Sequence, residues 1–118
     1  MITILPADKA FLESVSAPAH AEAMVLREGD GHILGHALFC LEGEQVEILA
    51  VEAVQPLLLD GLIRSVLNTG DCRGAKVGIC RVEALETILR RLEFDKTDAG
   101  DWCVSIDKFF RGDGCCCQ

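Results

Sequence analysis

The sequence predicts an α+β fold in α/β/α-type layers, built on a mixed, mostly antiparallel sheet with a parallel central pair. The element order is β-α-β-β-β-α-β-α-β. Three observations predict it. The stretch 31–52, GHILGHALFCLEGEQVEILAVE, reads as two strands joined by the two-residue connection Gly43-Glu44, a tight-hairpin signal. The second of these strands runs without a linker into PLLLDGLIRSVLN, an amphipathic helical pattern with Pro56 where a first helical turn tolerates a missing N–H. After that helix the chain changes to a helix–strand rhythm, and a strand–helix–strand unit forces its two strands parallel with a right-handed crossover.

Each element follows from local pattern. Residues 2–5 are a short apolar strand, and Asp8 can cap a helix over 9–15 with Phe11, Leu12 and Val15 on one face. Ser16-Ala17-Pro18 ends that helix. A strand over 21–28 is turned by Gly29-Asp30-Gly31 into strand 32–42, where Ile33, Ala37, Phe39 and Leu41 take one side. His32, Leu34, His36, Leu38 and Cys40 take the other. Alternation in strand 45–52 puts Val46, Ile48 and Ala50 on one face and Glu47, Leu49 and Val51 on the other. Both faces are apolar towards its end, as helices on both sides of the sheet require. Helix 56–69 buries Leu59, Leu62, Ile63, Val66 and Leu67 at spacings of three and four, and Gly70 suits a left-handed cap. Strand 75–80, helix 82–92 and a final half-buried strand over 102–109 complete the series.

Composition bounds the rest. A chain of 118 residues is one domain, here 1–110 with a cysteine-rich tail at 111–118, and it buries roughly two-thirds of its unfolded surface. The net charge of −8 argues against nucleic acid and anionic membranes, since phosphate binding needs a basic surface. No apolar run approaches the roughly 20 residues of a membrane span. The start, MITILPADKAFLESV, lacks a basic region and acquires Asp8 and Glu13 early, unlike a signal peptide. Seven irregularly spaced cysteines without an export signal point to a reducing cytoplasm rather than a disulfide framework. An exposed last strand leaves a homodimer open.

Over residues 2–109 this layout resembles the GNAT superfamily of acyl-CoA-dependent N-acyltransferases. LAVEA at 49–53 resembles the end of that family's fourth strand, DGLIRSVLNTGDCRGAKVGI at 60–79 its cofactor-side helix, loop and fifth strand, and LRRLEF at 89–94 the helix end before its last strands. The resemblance implies that strands 45–52 and 75–80 splay to admit an acyl-CoA, acetyl-CoA in most members, whose pantetheine arm pairs with the backbone near Leu49 and Val51. It implies a pyrophosphate on a [Arg/Gln]-x-x-Gly-x-[Gly/Ala] loop opening the next helix, where glycines admit backbone N–H groups and the helix end adds partial positive charge. Aligned from Val51, the basic position falls on Pro56, the first glycine on Leu59 and the second on Gly61, so only Gly61 matches. Gln55 is the right type one residue early, and Asp60 brings negative charge to the site. The resemblance also implies a carboxylate base, for which Glu52 is best placed with Glu47 behind it. The thiolate-protonating tyrosine of many members has no counterpart, because the chain contains no tyrosine. Cys80 is a substitute donor in principle and otherwise a small buried core residue.

Other candidate chemistry is thinner. His32 and His36 share a strand side at a separation too large for one metal without a bend at Gly35, so no metal site is expected. Cys115-Cys116-Cys117 could bind soft metal or cross-link, although adjacent thiols rarely close a tetrahedral site. Arg64, Arg73, Lys76 and Arg81 could gather near a phosphate or form surface ion pairs. Three readings result: an acyl-CoA-dependent N-acyltransferase taking an unidentified amine, an inactive binding module on the same fold, and a thiol or metal protein acting through its tail.

Overall fold

The central hairpin forms as its turn dictates. In the computed structural model, which describes residues 2–111, Gly43 takes φ +61°, and strand β3 (Ile33–Glu42) folds back onto β4 (Gln45–Ala53) with Glu42 opposite Gln45. A side chain strains that left-handed backbone, which is why glycine stands there. Strand β1 (Ile2–Pro6) pairs antiparallel with β2 (Glu22–Glu28), and β2 with β3. Between β1 and β2, helix α1 (Lys9–Ser14) starts where Asp8 accepts the Phe11 N–H at 2.9 Å.

After β4 comes a 3-10 turn, Pro56–Leu58, and then helix α2 (Leu59–Cys72), which leads to β5 (Val77–Cys80). β4 and β5 pair parallel, Gln45 to Val77 through Ile48 to Cys80. A 3-10 turn at Glu83–Leu85, helix α3 (Glu86–Arg91), a short strand β6 (Asp95–Lys96), β7 (Trp102–Ser105) and helix α4 (Ile106–Arg111) follow. The seven-stranded sheet has the order β1-β2-β3-β4-β5-β7-β6. α2, α3 and the 3-10 turn before α3 bury Leu62, Ile63, Val66, Leu67, Leu85 and Leu89 against Phe39, Val46, Ile48 and Val104 of the sheet. On the other face α1 sets the Phe11 ring edge-on to His36, 5.3 Å between centroids.

Four expectations are corrected. The final strand stops at Ser105 rather than 109, and α4 begins there. The Ser105 hydroxyl accepts from the Lys108 N–H at 3.4 Å, as a capping serine does, and Phe109 lies under the Arg64 guanidinium of α2, 5.1 Å from its ring centroid. Gly70 does not end α2: it is inside the helix, and a Cβ there would lie 2.9 Å from Val46 Cγ1. It is a close-approach glycine, and the left-handed residue beyond the helix is Gly74, φ +91°. The last strand is not a sheet edge, since β7 lies between β5 and β6, the latter formed by a turn closed by Thr97 N–H to Asp101 O at 2.7 Å. The fourth correction, the face pattern of β4, bears on the site. No helix is long and apolar enough to cross a membrane among the described residues. Cys115–Cys117 lie outside the described residues.

Candidate functional site: an open half-strand on β4

β4 behaves as two half-strands. From Gln45 to Ile48 it is paired on both sides, and Val46 and Ile48 are fully buried. Beyond Ile48 it stays paired with β3 as far as Ala53, but β5 has ended at Cys80. Leu49–Ala53 therefore runs on with no strand on its β5 side. At the same point the register against β3 slips: Phe39 faces Ile48 and Leu38 faces Ala50, so Leu49 is an extra residue. A one-residue bulge bends its strand and increases the local twist, turning β4 away where its parallel partner stops.

The bulge also exchanges the faces of everything beyond it. Val51 pairs with Ala37 and joins the core face, whereas Ala50 pairs with Leu38 and Glu52 with His36 on the opposite face. This reverses the expected pattern, in which Ala50 continued the Val46–Ile48 side and Val51 opposed it. The consequence is chemical. Glu47, opposite Cys40, and Glu52, opposite His36, stand on the same face of the sheet. Gly35 permits the turn of the strand, since a Cβ there would lie 2.7 Å from the Glu52 carbonyl oxygen.

The two carboxylates differ in setting. Glu52 is exposed. Glu47 has a side chain 24% exposed and accepts from Arg81 Nη1 at 2.7 Å, while Arg81 Nε bonds Asp101 at 3.1 Å. The hydrogen bond and charge of Glu47 raise the Arg81 pKa above its ordinary value. Cys80 lies on the other face, opposite Ile48 and Trp102, fully buried. Burial is the main cause that raises its thiol pKa, with a backbone hydrogen bond at Val82 opposing. That environment is a packed core position holding a protonated thiol.

The junction into α2 presents apolar groups. Val54 is 65% and Leu57 77% exposed, and Pro56 contributes no N–H. The Leu58 N–H is bonded to Gln55 O at 3.1 Å and the Leu59 N–H to Pro56 O. Asp60 pairs with Arg64 one turn along. A Cβ on Gly61 would meet Ile4 Cδ1 of β1 at 3.7 Å, so its bare face points to the β1 edge rather than towards β5. Of the four cations considered for a phosphate, Arg64, Arg73 and Arg81 each hold a carboxylate: Asp60, Glu22 at 2.6 Å, and Glu47 with Asp101. His32 lies in the β2–β3 turn, its N–H on Asp30 Oδ1 at 2.9 Å, apart from the His36–Phe11 contact. A cavity of about 780 Å³ lies elsewhere, near the far end of β7, lined by Arg64, Arg91, Glu93, Asp95 and Lys108 among others.

The overall fold is similar to that of known proteins. An acetyltransferase of the GNAT family from Staphylococcus aureus Mu50 superposes with TM-score 0.71 at 7% identity, covering 90% of this chain and 99% of that one. The ribosomal-protein-S18-alanine N-acetyltransferase of Escherichia coli gives 0.70 at 14% identity over 90% and 94%. The spermidine/spermine N-acetyltransferase of Vibrio cholerae gives 0.71 at 8% over 93% and 98%. The chain has the GNAT fold. No protein-family model matches its sequence, and no curated protein matches it significantly.

The bulge at Leu49 is what sequence reading missed. Ile48, Leu49, Ala50 and Val51 are all apolar, so either parity satisfies the pattern. The Arg81–Glu47 bridge was equally silent, because nothing in a parallel pair announces which cation follows the shorter strand.

Proposed function

We propose that this chain is an acyl-thioester-dependent N-acyltransferase, with the thioester arm lying along Leu49–Ala53 on the β5 side of β4. One observation carries the reading: a strand in mid-sheet is left without a partner on its β5 side over half its length, beside a parallel strand that stops short. Unpaired backbone N–H and C=O groups in such a cleft call for a partner, and the amides of a pantetheine arm are partners of that kind. The similar acetyltransferases support an acyltransferase reading by fold, and acetyl is the acyl group their names give.

When bound, an acyl thioester supplies the electrophilic carbonyl, and the chain's own residues supply position and proton handling. Glu52, exposed at the end of the open half-strand, is the group that takes a proton from the incoming amine, directly or through one water. Glu47 stands on the same face but is tied to Arg81, so it serves more as an anchor for the cleft wall than as a free acceptor. The acceptor enters from the Glu47–Glu52 face, which helices α2 and α3 do not cover.

The test is turnover of acetyl-CoA or S-acetylpantetheine with a panel of primary amines, comparing Glu52→Gln. We expect kcat to fall by about 10²-fold or more with the melting temperature unchanged, the range expected for losing a general base. Turnover unaffected by Glu52→Gln removes that residue from the mechanism.

A second reading is a GNAT-fold binding module without catalysis. Cys80, the one candidate thiolate-protonating group, is fully enclosed, and tyrosine is absent from the chain. Thioester binding with no turnover of any amine in the panel selects this reading.

A further inference from the structure

We infer that the thioester donor is recognised through its pantetheine arm and acyl group alone, and that the nucleotide diphosphate of coenzyme A contributes nothing favourable to binding. The inference rests on the transferase reading above and concerns what that cleft accepts. A pantetheine arm needs only unpaired strand edge, which Leu49–Ala53 provides. A diphosphate needs convergent N–H donors, room for close backbone approach, and positive charge. The mouth of the cleft meets each requirement poorly.

Donors are few. Pro56 has no N–H, and the 3-10 turn uses those of Leu58 and Leu59. Room is taken by side chains, with Leu57 and Val54 standing out from the junction at 77% and 65% exposure. The bare face of Gly61, the one glycine in the junction, is turned to Ile4 and opens nothing toward β5. Charge is unfavourable. Residues 54–61 contain no cation and one carboxylate, Asp60. Arg64, the next cation along the helix, is occupied by Asp60 and stacked over the Phe109 ring. A chain of net charge −8 further repels a polyanionic ligand at long range. Exposed valine and leucine at the mouth suit an uncharged arm and disfavour desolvating phosphates against them.

Isothermal titration of the full chain with S-acetylpantetheine and with acetyl-CoA, at low and at high salt, tests this. We expect the two dissociation constants to agree within about threefold, with acetyl-CoA the weaker at low salt and approaching the other as salt screens the repulsion. Acetyl-CoA binding about 30-fold tighter, and weakening with salt, would overturn the inference while leaving the transferase reading intact. Binding of neither thioester would overturn both. Leu57→Ser, at an exposed position outside the core, is a second arm. It should weaken both ligands alike, and a selective loss of acetyl-CoA affinity would again contradict the inference.

Discussion

The two halves of β4 share one strand and one composition but differ in what holds them. Gln45–Ile48 is a core strand, laddered on both sides, with Val46 packed close under Gly70 and Ile48 between Phe39 and Cys80. Leu49–Ala53 is laddered on one side only, begins at a bulge, and carries an exposed carboxylate at Glu52. The first half shows what stability demands of a parallel pair: full burial, and small residues wherever the covering helix comes close. The second shows what a binding strand gives up to stay open. Substitutions should therefore act on stability in the first half and on ligand in the second.

The sharpest division is between Ile48 and Val51. Ile48→Ala removes a fully buried side chain and should cost about 2–5 kcal/mol of unfolding free energy in urea titrations. Val51→Ala, half-buried beside the opening, should cost about 1 kcal/mol. Equal losses would mean that the open half is packed as tightly as the paired half.

Glycines sharpen the same contrast. Gly78 of β5 faces Leu67, whose Cδ2 would lie 2.6 Å from an added Cβ, with Val104 Cγ1 at 3.3 Å. Gly78→Val should destabilise by about 1–3 kcal/mol, the usual cost of overpacking a core. Gly61 sits at the mouth with only ordinary contact, so Gly61→Ala should be neutral or stabilise by up to about 1 kcal/mol through helix propensity. It should also leave S-acetylpantetheine affinity unchanged.

The smallest effect expected is in the thiols. Cys80 and Cys40 both have pKa values raised mainly by burial, so the folded chain keeps protons that the unfolded chain releases. Their contribution to stability is complete below the ordinary thiol pKa of 9.0 and is lost as pH rises from there through the raised folded values. Among the described cysteines, alkylation at neutral pH should modify exposed Cys72 first and spare Cys80 until denaturant is added. Early modification of Cys80 would place it in the opening and restore it as a proton donor.

The paired half was legible in the sequence and the open half was not. Gly43-Glu44, the three-and-four spacing of Leu62, Ile63, Val66 and Leu67, and the helix after β4 fix the hairpin, α2 and the parallel pair, because each is a local pattern with a single favourable outcome. The bulge at Leu49 depends on β3 and β5 together, and a run of four apolar residues conceals it. It therefore inverted the faces of Ala50 and Val51 while leaving the strand boundary nearly right. The start of α4 was concealed in a related way: Trp102, Val104 and Ile106 alternate through the very point where Ser105 begins a helix. Glu52 was legible as a strand-end carboxylate, but its sharing a face with Glu47 depends on the bulge. Gly61, the one residue matching a phosphate loop in sequence, faces β1.

Amide hydrogen exchange of the full chain, followed residue by residue with and without S-acetylpantetheine, addresses the open half-strand directly. Added ligand should slow exchange of amides within Leu49–Ala53 while leaving those of Gln45–Ile48 unchanged. Protection that is already complete in the free protein, or that fails to change at saturating ligand, would contradict an open strand edge as the binding site.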